Sequence, residues 1–270
     1  MKYQFVTHFL DYPIQNGRVY DIFIPENIQH DTAIFMIHGG GWTGGSRTGF
    51  YTPIMETLAE KGYIVATTDY RLNVSAIEQL KDCREAYAHF VEVLKEMGRP
   101  LKIATYGSSA GAHLASLLSV AAPGVCGEDF KPAAEWIAPE CTILQSCPMS
   151  FEPWEEIFPQ IWAAMQHAAR IPYDQAPEVY TKLSLDHHFH AGMPRIFFVE
   201  AEYEHMFWPR QKVSLAKKIA SLKVPVTVKI YQNMEHGFLY NFDRPHQREG
   251  FADLIKFIEK EPIEETIFNF

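Results

Sequence analysis

Short, unbroken apolar runs occupy residues 32–37, 63–68, 101–106, 142–146, 194–200 and 224–231. Apolar positions that do not alternate with polar ones mark strands covered on both faces, since each face then needs an apolar partner. Between these runs the period lengthens to that of a helix. Residues 52–61 form an amphipathic stretch closed by Gly62, and 76–97 carry Ile77, Leu80, Cys83, Ala86, Tyr87, Phe90, Val91 and Leu94 at helical spacing before Gly98. Further helices are expected over 109–120, over 209–222 with a basic face, and over 246–260. Strands alternating with helices predict βαβ units, hence a mostly parallel sheet with helices on both faces. At the N-terminus, extended stretches 4–10 and 18–24 flank Gln15-Asn16-Gly17, a hairpin-turn signal, which adds an antiparallel edge pair.

Two stretches break this rhythm. Residues 121–139 read as a Pro- and Gly-containing surface segment. Residues 149–192 form a long insertion in which Trp154, Phe158, Trp162, Met165, Tyr173 and Tyr180 sit among prolines. An aromatic insertion near the carboxyl edge of a parallel sheet is placed to be a lid or a pocket wall, or its rings pack it onto the body. No Gly-, Ser- or Pro-rich linker divides the 270 residues, so a single domain spanning 1–270 is expected.

The net charge of -9 argues against a nucleic-acid partner, which needs a basic face to neutralise phosphates, and does not favour acidic substrates. The first residues hold no apolar core followed by small residues, so no secretory signal is expected and a cytoplasmic location is the default. No apolar run approaches the length of a bilayer span. Cys83, Cys126, Cys141 and Cys147 show neither CxxC pairing nor clustered histidines, so free buried thiols are expected and a zinc site is not. A bridge from Cys126 to Cys141 or Cys147 is the alternative for an exported chain.

The candidate chemistry lies at strand ends. After the run 101–106 comes Gly107-Ser108-Ser109-Ala110-Gly111, the GxSxG pattern of a sharp strand-to-helix turn that lifts its central Ser above a sheet edge. The amide of Ala110 and the start of the following helix then lie where an oxyanion would form. After the run 32–37 comes His38-Gly39-Gly40-Gly41-Trp42. Three glycines there add nothing to packing and bring backbone amides close to a ligand. Asp69-Tyr70-Arg71-Leu72 follows another strand and is expected to fix a loop by hydrogen bonds. The run 224–231, read as the last strand, delivers His236-Gly237-Phe238, and Ala201-Glu202-Tyr203-Glu204-His205 follows the strand before it.

In this order the motifs resemble those of serine esterases of the α/β-hydrolase superfamily, especially the group with an HGGGW loop that includes hormone-sensitive-lipase-like and carbohydrate-ester esterases. The resemblance covers nearly the whole chain and implies an α/β-hydrolase fold. Ser109 would be the nucleophile and His236 its base, with a carboxylate on the far imidazole nitrogen. Similar proteins usually have GxxD in the acid loop. Here Ala201 and Glu204 stand at those places, so Glu204 is the expected acid, with Glu202 or Glu200 as alternatives. The implied oxyanion donors are the amides of Gly40, Gly41 and Ala110, with Trp42 and Ser108 beside the substrate, and neither metal nor organic cofactor. The implied activity is hydrolysis of small short-acyl esters through an acyl-enzyme, with acetylated or feruloylated carbohydrates as candidate substrates. Two alternatives stand beside it: an amidase of the kynurenine formamidase type, and a non-catalytic hydrolase-like binding protein. The oligomeric state is left open.

Overall fold

The computed structural model describes residues 2–10, 18–264 and 267–269. The expected turn at Gln15-Asn16-Gly17 lies outside the described residues. Its two arms, β1 (Tyr3–Phe9) and β2 (Val19–Pro25), pair antiparallel from Tyr3↔Pro25 to Phe9↔Val19. The chain continues through β3 (Thr32–Ile37), α1 (Thr52–Glu60), β4 (Val65–Thr68), α2 (Ala76–Glu96), β5 (Lys102–Ser108), α3 (Ala110–Val120) and β6 (Cys141–Gln145). The insertion holds α4 (Pro159–Ala169), α5 (Pro177–Leu183) and a short 3-10 turn, Leu185–His187. Then follow β7 (Arg195–Tyr203), α6 (Pro209–Ser221), β8 (Val226–Glu235), α7 (Pro245–Ile258) and β9 (Phe268–Asn269).

The strands form one sheet in the order β1-β2-β4-β3-β5-β6-β7-β8-β9. Neighbours from β4 to β8 are parallel, and β2 joins β4 antiparallel. This is the mostly parallel α/β-hydrolase sheet with antiparallel N-terminal strands. One correction concerns its far edge: β8 is not the last strand, because β9 pairs with it antiparallel. Ile267 and Phe268 stand between Thr266 and Asn269, too short an apolar run to read as a strand.

Alternate side chains of each central strand serve opposite faces. Along β3, Ala33, Phe35 and Ile37 join the core under α2, α3 and α6, while Ile34 and Met36 join the core under α1 and α7. On β7, Ile196 and Phe198 face the first core, and Phe197, Val199 and Ala201 the second. Helix α3 is buried at every residue. Its C-terminal carbonyls at Leu117, Leu118 and Ala121 accept hydrogen bonds from the buried Arg84 guanidinium, which Glu128 neutralises at 2.7 Å. Lone-pair-rich helix ends need such donors.

Because β3 lies between β4 and β5, the connections leaving β3 and β5 run to opposite sides. A crevice opens at such a switch point, beyond the carboxyl ends of the strands. The glycine loop follows β3 and the GxSxG turn follows β5. All four cysteines are buried and free. No helix among the described residues is long and apolar enough to cross a membrane.

Candidate active site

Strand β5 ends in a turn that holds Ser109 at φ 54° and ψ -122°, a sparsely populated conformation for a side-chain-bearing residue. The turn closes only because its flanking residues lack Cβ atoms. A Cβ on Gly107 would lie 2.3 Å from the Gly111 carbonyl oxygen, and one on Gly111 would lie 2.2 Å from that of Ile37. The Ser109 amide donates to the Gln145 carbonyl of β6 (2.9 Å), and the Ser109 carbonyl accepts from the His113 amide (3.1 Å) to start α3. The strained residue is thus fixed on both sides.

The base arrives from β8. Pairing with β7 shifts register between Ala201 and Tyr203, so Ala201 faces Tyr231 but Tyr203 faces Glu235, with Asn233 at φ 55° inside the irregularity. Bulges of this kind re-aim the side chains beyond them. The next loop is held from three sides: the Gly237 amide donates to Ser146 Oγ (3.2 Å), Gln247 Nε2 to the Phe238 carbonyl (2.9 Å) and Tyr106 Oη to the Leu239 carbonyl (3.1 Å). With its amide oxygen toward the Phe238 and Leu239 amides (2.9 and 2.5 Å), the buried Gln145 also donates to Tyr106 Oη and Ser108 Oγ. His236 Nε2 comes to lie 2.9 Å from Ser109 Oγ, and Nδ1 lies 2.7 Å from Glu204 Oε2. With the proton on Nδ1, the ring donates to Glu204 and accepts from the Ser109 hydroxyl, the tautomer that a general base requires.

Glu204 follows β7 and is 2% exposed. Its other oxygen, Oε1, accepts the amides of Met206 (2.9 Å) and Phe207 (3.3 Å). Burial pushes this carboxyl up. The hydrogen bond and charge of His236, the Lys212 ammonium and the Met206 amide outweigh burial and bring it down to about 2. Of the alternatives, Glu202 instead accepts the Asn233 amide (2.8 Å) and tightens the bulge. Glu200 points into the core at Lys212 (3.3 Å), and burial pushes it up to about 8.

The loop 38–47 lies against the turn: a Cβ on Gly39 would be 2.7 Å from the Ser108 carbonyl oxygen and 3.4 Å from Ser109 Cβ. Its two ends are held by the strand-end tetrapeptide. Asp69 accepts the Arg47 amide (2.6 Å) and guanidinium (2.5 Å), Tyr70 Oη donates to the His38 carbonyl (3.1 Å), and the Tyr70 ring stacks on the His38 imidazole. Arg71 instead pairs with Asp82 of α2. Gly40 turns the loop at φ 130°, its carbonyl accepting the Thr43 and Gly44 amides, and a Cβ on Gly41 would meet open space. The amides of Gly40, Gly41 and Ala110 donate to no other group among the described residues.

Trp42 and Ser108, expected beside the substrate, both lie in the core. The Trp42 indole is buried, its Nε1 donating to His113 Nδ1 (3.2 Å) and its ring meeting Phe151 edge-on, so it anchors the loop from below. Ser108 is also buried, its Oγ bonded to Tyr51 Oη beneath Gly237. Alternation explains Ser108: its neighbour Ser109 points out of the sheet end, so Ser108 points in.

The sequence also left residues unassigned. His113 bridges three segments, accepting from Trp42 and donating Nε2–H to the Leu183 carbonyl of the insertion (2.7 Å), and burial pushes its pKa down to about 4. Phe151, Met165, Tyr180 and Leu183 sink the insertion into the same core as Trp42. Its rim at Trp154 meets Phe207, whose ring is 6.0 Å from that of His236. Among the described residues no cluster of three or more His, Cys, Asp or Glu is arranged to hold a metal ion.

The fold has counterparts among solved structures. Esterase B of Lactobacillus Rhamnosis superposes with a TM-score of 0.77 at 17% identity, over 96% of this chain and 86% of that one. Propionate-bound esterase Est2 of Thermogutta terrifontis gives 0.72 at 20% identity, over 90% and 89%. In sequence, 90 residues, 32% of this chain, are 37% identical to the probable carboxylic ester hydrolase LipM of Mycobacterium tuberculosis, and the match spans 21% of that relative. A 150-residue stretch is 31% identical to 6% of the non-reducing polyketide synthase mapC' of Penicillium brevicompactum. The chain therefore spans only a minor part of these curated relatives. The BD-FAE family model matches residues 20–218, most of the chain, and the protein belongs to the BD-FAE family on an α/β-hydrolase fold.

Proposed function

We propose that the protein is a serine carboxylic ester hydrolase that works through an acyl-enzyme, with the whole chain acting as one catalytic domain. The observation that carries this reading is the continuous hydrogen-bonded chain from Ser109 through His236 to Glu204, with 2.9 and 2.7 Å links. The esterase-like neighbours and the match to LipM support it.

In this mechanism His236 Nε2 takes the Ser109 proton as Oγ bonds to the ester carbonyl carbon. The resulting oxyanion is met by the free amides of Ala110 and of Gly40 and Gly41, donors already fixed in place before reaction. Collapse breaks the bond to the alkoxy oxygen, which leaves with the proton from His236. Water then repeats the sequence on the acyl-Ser109 ester and releases the acid. Glu204 stays ionised throughout and balances the transient imidazolium. Small esters are the proposed substrates, either short-acyl ones such as acetylated carbohydrates or, with a larger aromatic acyl group, feruloylated carbohydrates.

Hydrolysis of p-nitrophenyl acetate tests the reading. Wild type should turn over, and Ser109→Ala should lose activity by at least about 10³-fold, as loss of a triad member does. Equal rates would overturn it.

A further inference from the structure

Helix α6 begins at Pro209, and Lys212 lies in its first turn with no part of its side chain exposed. This is a costly place for an ammonium. Burial strips its hydration, and the amino end of a helix repels cations. One carboxylate, Glu200, lies within ion-pair reach at 3.3 Å and is itself fully buried. A pair of this kind gives little net stability over apolar side chains of the same volume.

What the ammonium touches points to another role. Lys212 Nζ donates to the Phe207 carbonyl at 2.7 Å. The amide of the same residue, with that of Met206, points at Glu204 Oε1. Nζ therefore pins the short loop 204–207 from the core side while its amides grip the triad carboxylate from the other. The groups that face Nζ are Glu200 of β7, Glu204 beyond β7 and the Cys147 thiol beyond β6, which burial pushes up to about 12. His236 lies behind Glu204.

We infer that Lys212 is a positioning residue of the triad: it closes the loop that presents two amides to Glu204 and supplies that carboxylate's buried counter-charge. The inference rests on the proposal that Ser109, His236 and Glu204 form a hydrolytic triad. Burial and the nearby Glu204 charge favour the protonated form of Glu200. The Lys212 charge also acts on Glu204 and helps to hold its carboxyl down.

The test compares Lys212→Met, Glu200→Gln and the double variant, which removes both members of the buried Lys212–Glu200 pair and so does not strand Glu200, and which serves where Lys212→Met alone does not fold. With p-nitrophenyl acetate the double variant should lose on the order of tenfold in kcat with KM within about twofold. Its acid limb of kcat/KM should move to higher pH, because the ammonium opposes protonation of the triad. Glu200→Gln keeps the ammonium and should leave that limb near its wild-type position. The low-field proton resonance of His236 Nδ1–H should shift or broaden in the double variant. A double variant with wild-type kcat, acid limb and low-field resonance would overturn the inference, as would Glu200→Gln moving the limb as far as the double variant. The resonance reads the His236–Glu204 bond without turnover. It therefore judges Lys212 even if Ser109→Ala remains active and the triad reading itself falls.

Discussion

A buried carboxylate normally takes up a proton, yet Glu204 is brought down to about 2 because each of its oxygens has donors and a cation lies behind it. Its charge is useful only if it reaches His236, and the distances assign that contact to Glu204 and not to its neighbours. Glu204→Gln should keep the shape but present an amide to Nδ1, favouring the wrong tautomer and lowering kcat by on the order of 10³-fold. Glu202→Gln, which keeps an acceptor for the Asn233 amide, should stay within about threefold. If p-nitrophenyl acetate kinetics rank the two variants the other way, Glu202 is the acid. Ser109 and His236 were legible because strand-end motifs surround them. Glu204 was legible as the expected acid but with Glu202 and Glu200 beside it, since which of them meets His236 depends on a register shift in β7 and β8 that no local pattern encodes. The helix that holds Lys212 was expected only to carry a basic face, and Lys212 itself was not singled out. A signal was present: Lys212, Ala216 and Ile219 lie at i, i+4 and i+7, on the buried stripe of α6.

At the scale of elements, the site depends on backbones approaching closer than side chains allow. The carbonyls that end β3 lie where Cβ of residue 111 would be, so the loop after β3 and the turn after β5 touch through Gly111. Gly111→Ala forces a shift of backbone, not of a flexible side chain. It should destabilise the protein by about 3 kcal/mol, measured by urea unfolding, and should lower kcat because the Gly40 and Gly41 amides move with the loop. A variant with wild-type stability and kcat would show that the contact is dispensable. The glycines themselves were legible in the sequence. Their reason was not, because the clash is with a strand some 70 positions away in the chain. The same holds for Trp42, which next to three glycines looked like a ligand contact. It is drawn into the core by His113 and Phe151, which come from α3 and the insertion.

For the whole molecule, the alternation of buried runs and helical periods was enough to give the layered architecture, since a run apolar on both sides can only be covered by helices on both sides. The edges were less legible. β9 is two residues long, and the insertion reveals by composition that it is aromatic but not that Phe151 and Leu183 seat it in the core. What the fold accomplishes is convergence: segments following β3, β5, β7 and β8 meet at Ser109 beside the switch in strand order. The central claim is that this serine accepts the acyl group. It is tested most directly by acid-quenching the protein during turnover of p-nitrophenyl acetate and locating the acetyl group by peptide mass spectrometry. The expected result is an acetyl ester on Ser109 that is absent from Ser109→Ala. Acetylation at Ser108 or Cys147 instead, or turnover with no adduct together with an active Ser109→Ala, would contradict it.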